Sequence, residues 1–269
     1  MLDSTAALFV SHGAPDLAVQ PERAADLVRW GRALPVPKAL VIVSAHWQRT
    51  PITIGTTVTR PLLHDYGGFR GPLQAVTYDA PVASGWADRV AAALADFSES
   101  GAVQRADERP WDHGVWVPLV HLFPDPSVPV LQVSLASGTS ARRLFEIGER
   151  LSSHLGPDVL IVGSGGVVHN LGALDWSEAG PPPEWASDFE AWVRDVLTRG
   201  DRDALIDFAT RAPALRLAHP TLEHWLPMLV AAGAGGLGEP GRSAPRFPVQ
   251  GFEYGSLGRL GVEFGGSTG

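Results

Sequence analysis

Nine histidines stand in a chain of 269 residues that contains no cysteine, and their placement is more informative than their number. Three of them close a short apolar run or follow it by a turn. His12 follows Ala7–Ser11 (ALFVS), His46 follows Ala39–Ala45 (ALVIVSA), and His169 comes shortly after Val159–Ser164 (VLIVGS). Nearly continuous apolar runs of this length read as strands covered on both faces. In open α/β sheets the carboxyl ends of such strands frame the ligand crevice, so imidazoles placed there face one shared space. His224 stands at the head of another apolar stretch, and His113 lies in a loop between Trp111 and Trp116. A histidine cluster with carboxylates available and no thiolate suits Zn²⁺ or non-haem Fe²⁺, and three protein ligands leave open positions for catalysis. His219 and His224, spaced H-x4-H, offer a second, local zinc pair. Pro220 weakens that pair by favouring extended backbone at His219.

Other chemistries are excluded or unsupported. Without cysteine there is no disulfide, thiolate zinc site, iron–sulfur cluster or sulfur nucleophile. Gly163-Ser164-Gly165-Gly166 follows a strand but has Val168 where a dinucleotide-binding loop has its third glycine. Neither Ser11 nor Ser164 sits in a G-x-S-x-G elbow. A net charge of −8 leaves no basic footprint for nucleic acid or an anionic membrane, and 45% hydrophobic residues exclude disorder. No apolar run approaches the ~18 residues that span a bilayer, and Met1–Thr5 lacks the basic start of a secretory leader. The expected location is the cytoplasm.

The elements that must position these histidines alternate along the chain. Strands are expected at Ala7–Ser11, Ala39–Ala45, Val128–Leu135 and Val159–Ser164, with one or two more in Arg246–Gly251 and Leu257–Phe264. Helices are expected over Pro21–Leu34, Ala83–Phe97, Val115–Leu122, Ser140–Leu155, Trp185–Thr198, Arg202–Thr210 and Leu222–Ala232. This order implies an α/β fold, one domain over residues 1–269 with a central, mostly parallel or mixed sheet flanked by helices. Its metal site would lie at the carboxyl ends of the strands. His121 and His154 fall inside helical patterns and read as structural or surface residues, while Asp112 either orients His113 or caps the helix after it.

Seven stretches, in order, carry a resemblance: LFVSHGAP (8–15), VSAHW (43–47), LHDYGGF (63–69), DHGVWVPL (112–119), VLQVSL (130–135), GSGGVVHNL (163–171) and PTLEHWLP (220–227). The chain resembles the class III extradiol ring-cleavage dioxygenases, and within them the DOPA 4,5-dioxygenase-like branch. The resemblance implies His12, His46 and His224 as metal ligands, with Glu223 the alternative to His224. It implies His169 as the acid–base residue and possible fourth ligand, and His113 as a catalytic partner that hydrogen-bonds substrate or oxygen. His64, Asp65 and Tyr66 would belong to a loop that binds substrate, with Phe69 a further wall, and Trp47 lies beside a site motif where it would wall an aromatic ring.

The activity so implied is Fe(II)-dependent cleavage of a catechol ring by O₂ to a semialdehyde, with Zn(II) possible as the bound ion. The partners are then a small catechol and O₂, with a homodimer as the default assembly. A zinc hydrolase using His169 or Glu223 as base, or a non-catalytic metal-binding protein on the same scaffold, are the alternatives.

Overall fold

The computed structural model describes residues 7–55, 61–69, 71–81, 83–98, 103–178 and 180–265, so Met1–Thr5 lies outside the described residues. Ten strands are described: β1 (Ala7–Ser11), β2 (Ala39–Arg49), β3 (Thr53–Gly55), β4 (Gln104–Ala106), β5 (Val130–Ala136), β6 (Val159–Gly165), β7 (Arg246–Val249), β8 (Phe252–Glu253), β9 (Leu257–Gly258) and β10 (Gly261–Phe264). The helices are α1 (Ala25–Ala33), α2 (Ser84–Leu94), α3 (His113–Leu122), α4 (Ala141–Leu155) and α5 (Glu184–Thr198), then the short α6 (Arg202–Ile206), α7 (Phe208–Arg211) and α8 (Leu215–Ala218), and α9 (Pro227–Ala234).

Eight strands form one sheet in the order β4-β3-β5-β2-β6-β1-β10-β7, and β8 pairs with β9 as a separate hairpin. The centre is parallel: β2 runs alongside both β5 and β6, and β1 alongside β6. Antiparallel β3 and β10 flank that centre, which makes the sheet mixed.

Alternation along the central strands divides the interior into two cores. Phe9, Val41, Val43 and Ile161 pack on one face with α2, α4, α5 and α9, while Leu8, Leu40, Ile42 and Val162 pack on the other with α1 and α3. Successive side chains of a strand point to opposite faces, so a strand apolar at every position needs helices on both sides. This is why the sequence shows continuous apolar runs rather than alternation.

The α/β expectation with a mixed sheet and flanking helices therefore holds, with shifts at element ends. β2 continues through His46 and Trp47 to Arg49 instead of stopping at Ala45, because a bulge carries the pairing from Ser44–Ser134 to Gln48–Leu135. The helix expected from Leu222 starts only at Pro227, so His224 sits in a turn. His113 opens helix α3 instead of lying in a loop. The short β3, β4 and β8 carry too few residues for a periodic signal.

Candidate metal centre

The centre is assembled where β1, β2 and β6 end. His12 follows the last residue of β1 and is tied by its backbone N–H to the carbonyl of Gly165, the last residue of β6, at 3.0 Å. His46 lies in the bulged end of β2, where the Ser44 hydroxyl accepts its backbone N–H at 3.2 Å. His224 arrives from the turn before α9, whose chain crosses β6 at close range. A Cβ at Gly165 or Gly163 would collide with the carbonyl of His224 or Pro227, and the Gly166 N–H donates to the His224 carbonyl at 2.9 Å. The glycine run that superficially suggests a phosphate loop thus serves backbone contact.

Three imidazoles converge there. The Nε2 atoms of His12 and His46 lie 3.1 Å apart, and those of His46 and His224 lie 3.3 Å apart. Two nitrogens bound to one zinc-sized ion at ~2.1 Å, with bond angles of about 90–110°, stand roughly 3.0–3.4 Å apart, so the donor set fits a single ion. Behind each ring stands an oxygen. His12 Nδ1 is 3.0 Å from the Ser164 hydroxyl, which itself donates to the Gly114 carbonyl. His224 Nδ1 is 3.1 Å from Glu223 Oε1, and His46 Nδ1 faces Asp65 Oδ2 at 3.5 Å. Acceptors placed on Nδ1 keep the proton there and turn the Nε2 lone pair forward, as around histidines that bind metals. The Glu223 carboxylate is thereby aimed at the back of His224, away from the Nε2 atoms that meet.

Electrostatics favour the neutral, ligating form of each ring. Burial and the neighbouring imidazoles hold His12 well below the usual histidine value. The same causes, opposed by Asp65, push His46 down to about 2. Burial lowers His224 as well, although Glu223 pulls the other way. Glu223 is lowered to about 2, first by the His224 hydrogen bond.

The remaining residues surround this trio. His169 stacks on His224 with ring centroids 3.4 Å apart and planes within 5°. Its donors group with those of Glu223 and His224, within 4.8 Å, and not with the set of His12 and His46. Burial and His224 push it to about 2. His113 Nδ1 and its backbone N–H both reach Asp65 Oδ1, at 2.8 and 3.1 Å. Burial opposes the Asp65 charge, but the His113 contacts and His46 outweigh it and bring the carboxyl down to about 2.

A cleft of about 1000 Å³ opens over the trio; Asp65, Tyr66, His113, His169 and Glu223 line it together with His12, His46 and His224. Two expected substrate contacts lie outside its lining. Trp47 is buried under the Arg109 guanidinium at 5.3 Å and against Gly55. His64 is exposed and holds the Tyr66 hydroxyl at 2.6 Å, so it shapes a wall without being one. His219 is no zinc ligand either. Its Nε2–H donates to the Val167 carbonyl at 2.7 Å, and its ring packs on Phe189 and Trp225.

Sequence reasoning missed two supporting residues. Ser164 is readable only once β1 and β6 are known to be neighbours. Asp112 neither orients His113 nor caps α3 with its side chain. Fully buried, it accepts from the Ser44 hydroxyl at 2.7 Å and from Gln132 and Arg109, and so anchors the end of β2 that carries His46. Burial raises its pKa, against the hydrogen bonds from Ser44 and Gln132. No helix among the described residues is long and apolar enough to cross a membrane.

The profile of the family described as the catalytic LigB subunit of aromatic ring-opening dioxygenase matches residues 9–263. The chain is 34% identical over 265 residues to the 4,5-DOPA dioxygenase extradiol of Escherichia coli K12, covering 96% of this chain and 94% of that one. It is 32% identical over 262 residues to the 4,5-DOPA dioxygenase extradiol of Portulaca grandiflora, with 95% and 94% covered. The crystal structure of an uncharacterized Escherichia coli K12 protein superposes with a TM-score of 0.76 at 30% identity, over 96% of this chain and 99% of the other. The chain belongs to the LigB family and is an oxidoreductase of the extradiol ring-cleavage dioxygenase class.

Proposed function

We propose that the chain is an Fe(II)-dependent dioxygenase that opens a catechol ring beside its two hydroxyls and yields a semialdehyde, the full length acting as one catalytic domain. The observation that carries this reading is the set of three Nε2 atoms at 3.1 and 3.3 Å, each ring backed by an oxygen. His12, His46 and His224 would hold the ion. When bound, ferrous iron supplies Lewis acidity toward the diol and electron exchange with O₂.

The chain's own residues supply the proton handling and the orientation. His169, stacked on His224 at the cleft, stands where a ring nitrogen can take a hydroxyl proton from the catechol and return it later in the cycle. Asp65 holds the Nδ1–H of His113, which leaves Nε2 as the ring nitrogen available to a substrate or oxygen atom in the cleft. Asp65 also faces His46, so one carboxylate fixes the orientation of a ligand and of a catalytic ring together. Tyr66, held by His64, walls the ring's position.

Zn²⁺ suits the same three nitrogens but exchanges no electrons, which gives the test its control. Protein loaded anaerobically with Fe²⁺ is expected to consume O₂ with a catechol and to form a product absorbing as a ring-opened semialdehyde. Zinc-loaded protein at equal occupancy is expected to do neither. Full iron occupancy without O₂ uptake across a catechol panel would overturn the reading.

A further inference from the structure

Away from the three imidazoles the cleft changes character. At about 1000 Å³ it is far larger than one catechol ring requires, and pockets of ~300–1,000 Å³ hold drug-sized ligands. Its outer part is built from an apolar cluster separate from the two sheet cores: Ala14, Tyr254 and Leu257, with Phe69 and Leu174 packed on them. All five line the cleft. Trp176 extends the same wall, its ring 4.7 Å from that of Tyr254, yet it is 63% exposed. A large aromatic left open at a pocket mouth is apolar area still available for burial.

The charge of the cleft points the same way. Among its described lining residues there is no lysine or arginine, and the two carboxylates, Asp65 and Glu223, are committed to histidines. A substrate carboxylate would find no lysine or arginine among the described lining residues to replace the water it gives up, although the Arg23 guanidinium stands behind the Tyr254 ring. An uncharged apolar group avoids that penalty.

This wall is also held rigidly. Tyr254 adopts a φ of 49°, a left-handed conformation that side chains disfavour and that persists only where surroundings over-determine it. Its hydroxyl donates to Asp16 at 2.8 Å and accepts from Arg23 at 2.9 Å. Its N–H donates to Glu178 at 2.6 Å, and its carbonyl accepts from the Asp175 N–H at 2.8 Å. Asp175 and Glu178 bracket Trp176, so one set of bonds fixes both rings. The β8–β9 hairpin that carries Tyr254 is tethered beside the metal end: Glu253 lies against Gly13, and the Gly258 N–H reaches the Val168 carbonyl at 2.9 Å. Those contacts adjoin His12 and His169 in the chain.

We propose that the Tyr254–Trp176 wall is a subsite for an uncharged hydrophobic substituent about the size of a second ring, so that aryl-substituted catechols are preferred over catechols with a carboxylate arm. The inference rests on the catechol reading above but concerns binding, and the two can fail separately. Zinc-loaded full-length protein, which holds substrate without turnover, is titrated by calorimetry with 4-phenylcatechol and with 3-(3,4-dihydroxyphenyl)propionate. The phenyl compound is expected to bind at least about tenfold more tightly. Trp176→Ala, at an exposed position, is expected to remove most of that preference, and Trp176→Phe to keep it. Equal affinities, tighter binding of the propionate, no binding of either, or a preference that survives Trp176→Ala would each overturn the proposal. Iron-loaded protein that shows the binding preference but takes up no O₂ with any catechol would instead sink the dioxygenase reading and leave the subsite standing.

Discussion

His219 and His224 stand on either side of Pro220–Glu223, both nearly sealed from water and both pushed toward neutrality by burial, His219 to about 4. Their surroundings give them opposite uses. His224 has a carboxylate behind Nδ1 and two imidazoles ahead, His46 at Nε2 and His169 stacked on its face. His219 has a carbonyl at Nε2 and aromatic rings around it, Phe189 at 5.2 Å and Trp225 at 5.8 Å. Residue type, burial and lowered pKa therefore do not distinguish a candidate ligand from a packed core histidine. The direction of the free lone pair does: toward other donors in one case, into an apolar box in the other.

The sharpest way to break this contrast is to delete each ring. His224→Ala removes one of three donors, and metal retained after loading and desalting is expected to fall to background, with O₂ uptake lost. His219→Ala is expected to keep its metal. Should the folded His219 variant lose metal as completely as the His224 variant, the two regions would be one functional unit and the distinction would be void.

The next largest effect lies on α5, the helix that supplies Phe189 to the box. Its Glu190 is buried with Oε2 unpartnered among the described residues, and burial lifts its pKa from 4.5 to about 7 against the pull of Arg194. Between those values the folded state holds a proton that the unfolded chain has released. The contribution of Glu190 to stability is thus full below about pH 4.5, falls as pH rises to about 7 and is flat above, a loss of about 3 kcal/mol, while the buried histidines, held below their ordinary values, pull total stability the opposite way. Chemical denaturation reads this as a difference: the stability of the unaltered chain relative to Glu190→Gln is expected to fall by most of that amount between pH 5 and pH 8, the histidine contribution being common to both proteins. Equal pH dependence in the two proteins would assign Glu190 an ordinary, solvated carboxyl. For His219→Ala the expected destabilisation is smaller, about 2 kcal/mol, from the uncompensated Val167 carbonyl and the lost packing.

Much of the scaffold could be read from the chain because β1, β2 and β6 are buried on both faces and so are apolar throughout. The histidines at their ends could be read for the same reason: a polar residue terminating such a run needs something to face. Asp112, Ser164 and the true place of Trp47 could not be. Each depends on which strands are neighbours and on a bulge in β2, and both are facts of pairing between distant segments. The helix boundary before α9 was misplaced because Leu222 and Trp225 continue an apolar pattern through a turn that backbone contact with β6 imposes. The resemblance carried the ligand set further than spacing did, and it left Glu223 and His224 unresolved between them.

Glu223→Gln is the smallest change and the one aimed at that pair. Glutamine keeps an oxygen that can accept the His224 Nδ1–H, so the ring's tautomer and direction survive while the negative charge behind it goes. Oxygens behind a ligating histidine are worth ~10–100-fold in metal affinity, and a substitution that preserves the hydrogen bond belongs at the low end, about tenfold. Competition against a chelator of known zinc affinity measures this directly. A tenfold weakening at full stoichiometry makes Glu223 the support of His224. A variant as empty as His224→Ala would make the carboxylate itself a ligand, and the 3.3 Å approach of the His224 Nε2 to His46 would then need another explanation.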